Sequence, residues 1–386
     1  MRFESPVISE WSTRDMIKVL TGRERMRRAL KGEPTDRPAL AYLFLGGARH
    51  VLDRLGQRMC VAYRDPQLIA DTQMLAAELF EHDSAMVPWG CLTVEAEAFG
   101  CTVREFDDFY PQVIERPLEA SADLSRLSNP DPAISGRMPL VIEALTRLRE
   151  RAGDDLFISA MVVSPFLVAA ELRGMAALMM DFIRDPVFTE ALLKRVTEGT
   201  ERYLRAILQT GACDAVFFEN AGATRDMIGP HHLAQFVRPY HERLVALVRG
   251  EAPDVFTIEH NCSDRPYFEE ILKSDIDAVS FAYVDERVIQ AQHHWDCRAS
   301  HTRTNVCSER FCLRVPAEGS AIARIGNVDH TQIVLNATPD EVFREARACI
   351  ESAASSRFIL STGCEIPFKA PIENIRALAR AAQAGY

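Results

Sequence analysis

Eight short apolar runs rich in β-forming residues, each separated from the next by room for a helix, constrain this chain most. They are Ala39–Leu45, Ser84–Val87, Leu156–Val163, Ala215–Glu219, Val255–His260, Ala278–Tyr283, Ala321–Val328 and Phe358–Ser361. Runs that are apolar throughout suit parallel strands buried on both faces, whereas half-buried strands alternate. Eight such runs with helices between them predict an α/β fold, a (β/α)8 TIM barrel that uses residues 1–386 as a single domain. A doubly wound open sheet is the alternative. It wants a glycine-rich phosphate loop after an early strand, and Gly46-Gly47-Ala48 makes a poor one.

The helices carry start signals of their own. Thr21 through Glu24 fits a capping box, so residues 1–36 read as an N-terminal helical segment. Asp185 and Pro186 supply a cap and a first-turn proline for a helix running to about Thr210. Thr338-Pro339-Asp340-Glu341 repeats the capping pattern, and Pro230 opens a helix that Pro239 breaks or restarts. Leu178, Met179 and Met180 read as helix core. Two gaps exceed what a barrel needs. Trp89–Asp154 is expected to hold a small hairpin over Val94–Phe106, with Glu95 and Glu97 alternating along it at the rim, and an extra helix from Leu140. Asp285–Ser320, rich in His, Arg and Cys, reads as a lid-like insertion over the mouth.

A formal charge of −11 leaves no positive field for nucleic acid or anionic lipid. The basic run Arg23–Lys31 reads as the solvated face of one helix. The uncharged stretch Ile158–Ala170, interrupted by Pro165, is too short to span a bilayer. Ten cysteines scattered along a large chain without a signal peptide predict a reducing, cytoplasmic setting and no disulfide framework.

In a barrel, chemistry gathers where strands end. Those ends carry Glu219-Asn220, His260-Asn261-Cys262, Asn327 with Asp329, and Gly363-Cys364-Glu365. One imidazole and two thiolates, from His260, Cys262 and Cys364, suit zinc and leave a fourth position open, which is the catalytic pattern. Spacing alone does not single this set out, since many cysteine-containing chains offer it. Glu219, ending an otherwise apolar strand, has two readings: a displaceable fourth ligand, or a carboxylate that orients the histidine or binds substrate. Asn220 and Asn327 are candidate substrate contacts, and Asp329 is equally a structural residue. His293, His294, Cys297, His301, Cys307 and Cys312 read as incidental loop residues.

Three stretches carry a resemblance. They are Thr21-Gly-Arg-Glu-Arg25 through Gly32-Glu-Pro-Thr-Asp-Arg-Pro38, then Gly326-Asn-Val-Asp329, then Ser361-Thr-Gly-Cys-Glu-Ile-Pro367 continued by Ala370-Pro-Ile-Glu-Asn-Ile375. Together they resemble the uroporphyrinogen decarboxylase superfamily over essentially the whole chain. Within it, Glu95-Ala-Glu-Ala-Phe-Gly100 and the His-x-Cys and Gly-Cys pair are similar to the zinc-dependent, corrinoid-linked methyltransferase branch. The resemblance implies a (β/α)8 barrel with zinc on His260, Cys262 and Cys364. It implies transfer of a methyl group between the cobalt of a corrinoid protein and a thiol, tetrahydrofolate or an aryl methyl ether. Glu219 and His260 are then the candidate catalytic residues. No Asp-x-His-x-x-Gly segment is visible, so the cobalamin is expected on a partner protein. The direction of transfer and a homodimer are left open. A porphyrinogen decarboxylase is the competitor, but the loop Leu45–His50 offers only Arg49 to a substrate of many carboxylates. A non-catalytic barrel that binds a corrinoid protein is the third reading.

Overall fold

The computed structural model describes residues 19–42, 48–90, 92–263, 266–271, 273–282, 321–353 and 357–384. Its main sheet comprises β1 (Ala39–Leu40), β2 (Ser84–Val87), β5 (Phe157–Val163), β6 (Ala215–Glu219), β7 (Phe256–Asn261), β8 (Ala278–Phe281), β9 (Ala323–Val328) and β10 (Phe358–Thr362). The eight strands run in the order β1-β10-β9-β8-β7-β6-β5-β2, and every pair is parallel. Asp83 N donates to Leu40 O at 2.8 Å, which draws the two ends of the sheet together into a nearly closed barrel. The fold is the (β/α)8 barrel that the eight runs predict. Residues 43–45 and Tyr283 of the expected strands, residues 1–18, and the whole Asp285–Ser320 insertion with its His and Cys residues lie outside the described residues.

Alternation divides the strands' apolar residues between two cores. Phe157, Met161, Phe217, Ile258 and Ile325 fill the barrel interior, whereas Val162, Val216, Phe218 and Val279 face the surrounding helices. The helix Gly22–Lys31 plugs the N-terminal end, adding Met26, Ala29 and Leu30 to the interior cluster. A Cβ on Gly22 would lie 2.6 Å from the Asp155 carbonyl oxygen, so only glycine lets this plug seat so closely. Its basic residues are a solvated face only in part: Lys31 is exposed, but others are spent on buried aspartates. Arg25 is buried and binds Asp36 and Asp83, while Arg23 binds Asp214. The reason lies in three aspartates that precede strands. Asp83, Asp214 and Asp277 accept the backbone N–H of Leu40, Ile158 and Thr257 on the neighbouring strands, at 2.9, 3.0 and 2.7 Å. Each also takes at least one arginine.

The Thr338 capping box forms in full. At Thr21 it forms by half, because the Glu24 carboxylate turns to Arg28 at 2.8 Å. The helix after Asp185 spans Pro186–Gln209, and the extra helix spans Met138–Ala152. Pro239 restarts its helix: the turn that Pro230 opens gives way to a π turn over Leu233–Val237, and Arg238–Glu251 begins with Pro239 in its first turn, where a missing N–H is tolerated. Leu178 is core, but Met180 is exposed.

The hairpin was misplaced by the sequence pattern. It comprises β3 (Thr102–Arg104) and β4 (Gln112–Glu115), while Val94–Ala98 is a short helix. Over five residues an alternation of apolar and acidic side chains does not separate strand from helix. Gly100 after it, at φ +114°, is the helix punctuation, while the hydroxyl of Thr93 before it accepts from Arg137 and makes no cap. Glu95 is therefore buried, where it accepts the Val163 N–H at 2.9 Å beyond the last β2–β5 pair, and Glu97 binds Arg137 at 2.6 Å. Among the described residues no helix is long and apolar enough to cross a membrane.

Candidate metal centre

Glu219 at the end of β6 and His260 on β7 are register partners, and His260 in turn pairs with Ser280 on β8. Partners across parallel strands share a face, so all three side chains belong to the barrel interior near its C-terminal mouth. Cys262 follows β7 directly, and Cys364 sits in the turn after β10. The sequence places these two cysteines 102 residues apart; the fold brings their sulfurs to 3.4 Å. That is too long for a disulfide. His260 Nε2 lies 2.9 Å from Cys262 Sγ, and one donor atom from each of His260, Cys262 and Cys364 falls within 4.8 Å of the others. A tetrahedron of zinc bonds has edges of roughly 3.5–3.8 Å, close to this crowding.

Ser280 Oγ stands 2.9 Å from His260 Nδ1 and occupies that nitrogen, leaving Nε2 for the cluster. Glu219 is buried. Its Oε1 accepts the Ala221 N–H at 3.0 Å, while Oε2 has no hydrogen-bond partner among the described residues and lies 4.0 Å from His260 Nε2. A buried, unpartnered carboxylate oxygen beside an imidazole and two sulfurs is costly alone and favourable beside a cation. The donor set fits zinc. Its open side is at Cys262, an exposed residue whose sulfur is nonetheless turned in among the other donors, whereas Cys364 is half-buried.

Burial pushes the Glu219 carboxyl up to about 7. For His260 burial works downward, but Glu219 and then Cys364 overcome it, so its net shift is up. The contact between the two thiols raises Cys262, with burial adding to it, and pulls Cys364 well below the ordinary thiol range with help from His260.

The two asparagines differ. Asn220 is engaged at both ends of its amide: Ser164 Oγ donates to Oδ1 at 3.0 Å, and Nδ2 donates to Glu259 Oε1 at 3.0 Å. Asn327 pairs in register with Ser361 inside the mouth, and both are buried. Asp329 caps the following turn, accepting the Thr331 and Gln332 N–H groups at 2.8 Å each. Sequence reading missed Ser280, Glu259, His241 and Asn261. The signal available was a polar residue inside an otherwise apolar strand, most plainly Glu259 beside His260. A cavity of about 320 Å³ opens along the residues that follow Cys364, walled by Met59, Phe109, Tyr110, Ile366 and Phe368 with the carboxyls of Asp108 and Glu365.

A family model described as uroporphyrinogen decarboxylase (URO-D) matches residues 21–385. The chain is 26% identical over 366 residues to a methylcobamide:CoM methyltransferase of Methanosarcina acetivorans, covering 94% of this chain and 98% of that one. A methylated-thiol–coenzyme M methyltransferase of Methanosarcina mazei is 25% identical over 324 residues, covering 83% and 77%. A solved methyltransferase structure from Methanosarcina mazei superposes with a TM-score of 0.79 at 24% identity, over 95% of this chain and 99% of the other.

Proposed function

The chain belongs to the uroporphyrinogen decarboxylase (URO-D) family, and from that premise we propose that it is a zinc-dependent, corrinoid-linked methyltransferase. It moves a methyl group between the cobalt of a corrinoid protein and the heteroatom of a small substrate. The observation that carries this reading is the convergence of His260, Cys262 and Cys364 beside Glu219 Oε2, which has no hydrogen-bond partner among the described residues. Decarboxylation of a porphyrinogen does not call for an imidazole–dithiolate set, and it does call for several cations, whereas the loop Leu45–His50 offers Arg49, which pairs with Asp53 at 3.6 Å.

Zinc in this set would stabilise a substrate thiolate at neutral pH or polarise an ether oxygen. The chain's own residues prepare for it. Ser280 fixes which nitrogen His260 presents. Cys262 and Cys364 bring thiolate charge that keeps a neighbouring sulfur nucleophilic. Glu219 would be the fourth group to hold the ion, leaving that position to the substrate heteroatom, and Asn327 is assigned to the substrate's polar group. The aromatic cavity beside Cys364 takes the part of the substrate that does not react. The cobalamin arrives on a partner protein at the barrel mouth.

The test is incubation with methylated and with reduced corrinoid protein against thiols, tetrahydrofolate and aryl methyl ethers, followed through the cobalt absorption bands. Transfer is expected with one substrate class and is lost on chelation, while docking of the corrinoid protein survives. His260→Ala slows it by at least about 10²-fold, the scale of losing a major electrostatic contributor. Transfer at the original rate after zinc removal would contradict the reading.

A further inference from the structure

On β6 and β7 the candidate donors are interleaved with residues that face the other way. Glu219 precedes Asn220, and His260 stands between Glu259 and Asn261. The interleaved residues are joined to one another. Asn220 bridges Ser164 and Glu259, and its backbone N–H donates to His260 O at 3.0 Å. Asn261 Nδ2 donates to Asn220 O at 3.2 Å and to Ala223 O at 3.1 Å, while its Oδ1 accepts the Ser263 N–H at 3.1 Å. The network ends on an ion pair with His241 of the helix Arg238–Glu251, whose Nε2 lies 3.0 Å from Glu259 Oε2 without the alignment of a hydrogen bond. Both of those side chains are buried, at 3% and 2% exposure. The peptides on either side of Cys262 and the turn after Glu219 are thereby tied to one set of bonds.

We infer that Glu259, His241, Asn220 and Asn261 are positioning residues that fix the separation of Glu219, His260 and Cys262. The outward face of a buried parallel strand is ordinarily apolar, as Val216, Phe218 and Val279 are here. A buried ion pair at such a place costs desolvation, and well-packed apolar residues are often neutral or stabilising in its stead. Register is the best-attested use of such a pair. Donors from two strands and a loop must be held to within about 0.5 Å to share one ion. An apolar contact between β7 and the helix would bury area without setting that geometry, whereas the directional bonds of Asn220 and Asn261 set it, with the His241 charge holding Glu259 in place to accept from Asn220.

This inference rests on the zinc reading for the identity of the ion, and the experiment separates the two. The double variant His241→Leu/Glu259→Leu replaces the pair with apolar side chains. The metal-free variant should melt at the wild-type temperature or above. Its zinc affinity, by competition with a chromophoric chelator, should fall roughly 10- to 100-fold, the usual scale for losing partners of metal ligands. The visible bands of the cobalt(II)-substituted protein should shift. Wild-type affinity with unchanged cobalt bands would overturn the inference, and so would a melting temperature far below wild type, which makes the pair structural. If the double variant does not fold, the comparison of His241→Gln with His241→Ala decides. Glutamine keeps a donor for Glu259 and should hold most of the affinity that alanine loses; equal effects would overturn the inference. Stoichiometric zinc in the wild type with unaffected variants sinks the positioning role alone, whereas a wild type that binds no zinc sinks the metal reading beneath it.

Discussion

The two ends of the barrel treat buried carboxylates in opposite ways. At the N-terminal end Asp83, Asp214 and Asp277 spend their oxygens on arginines and on strand N–H groups. At the C-terminal end Glu219 and Glu365 each keep an oxygen with no hydrogen-bond partner among the described residues, and burial raises both carboxyls. The same strands supply both ends, so strand chemistry does not account for the contrast. A satisfied charge network serves stability. Unspent donors serve a ligand, and a fold retains them only where function repays the cost.

The comparison breaks most sharply if a closed-end substitution leaves stability alone. Asp83→Ala strips Arg25 and Arg37 of a shared partner and leaves the buried Arg25 with less compensation. It should cost about 3–5 kcal/mol of folding free energy, read by denaturant unfolding, with zinc content of the folded fraction unchanged. At the open end the balance reverses. Glu219→Gln should leave the melting temperature of the metal-free chain close to wild type and weaken zinc roughly 10-fold, by chelator competition. Unchanged zinc affinity with a depressed rate would make Glu219 a substrate or orienting residue.

The closed end was the less legible of the two. Apolar runs announce the strands because parallel strands buried on both faces carry that signature: Ser84–Val87 and Ala215–Glu219 coincide with observed strands, and five other runs differ from theirs only at the margins. His260, Cys262 and Cys364 stood at strand ends and could be gathered once a barrel was assumed. The role of Asp83, Asp214 and Asp277 could not be read, because an aspartate before a strand looks like a loop residue until its arginine partner, far away in sequence, is in place. Arg25 meets Asp83 across 58 residues and Arg149 meets Asp214 across 65. Glu95 was misread for a local reason, since five residues do not fix a period.

Glu95 offers the smallest effect and a pH signature. Burial pushes its carboxyl up to about 7, from an ordinary value of 4.5. Between those values the folded chain holds a proton that the unfolded chain has released. Its contribution to stability therefore declines as pH rises toward 7 and levels off above. Glu95→Gln keeps an acceptor for the Val163 N–H and removes the titration. Relative to wild type the variant should gain about 1 kcal/mol between pH 6 and pH 8, by urea unfolding of the metal-free chain. No gain would mean that Glu95 titrates alike in the folded and unfolded chains.

On the proposed reading the open end keeps these donors for one zinc ion, which zinc K-edge X-ray absorption on protein purified without added metal would reveal. One zinc per chain is expected, with two sulfurs at about 2.3 Å and a nitrogen at about 2.0–2.1 Å. The fourth ligand should be a light atom that a sulfur replaces when a thiol substrate is added. Protein without zinc, or zinc in a shell of oxygen and nitrogen alone, would contradict it.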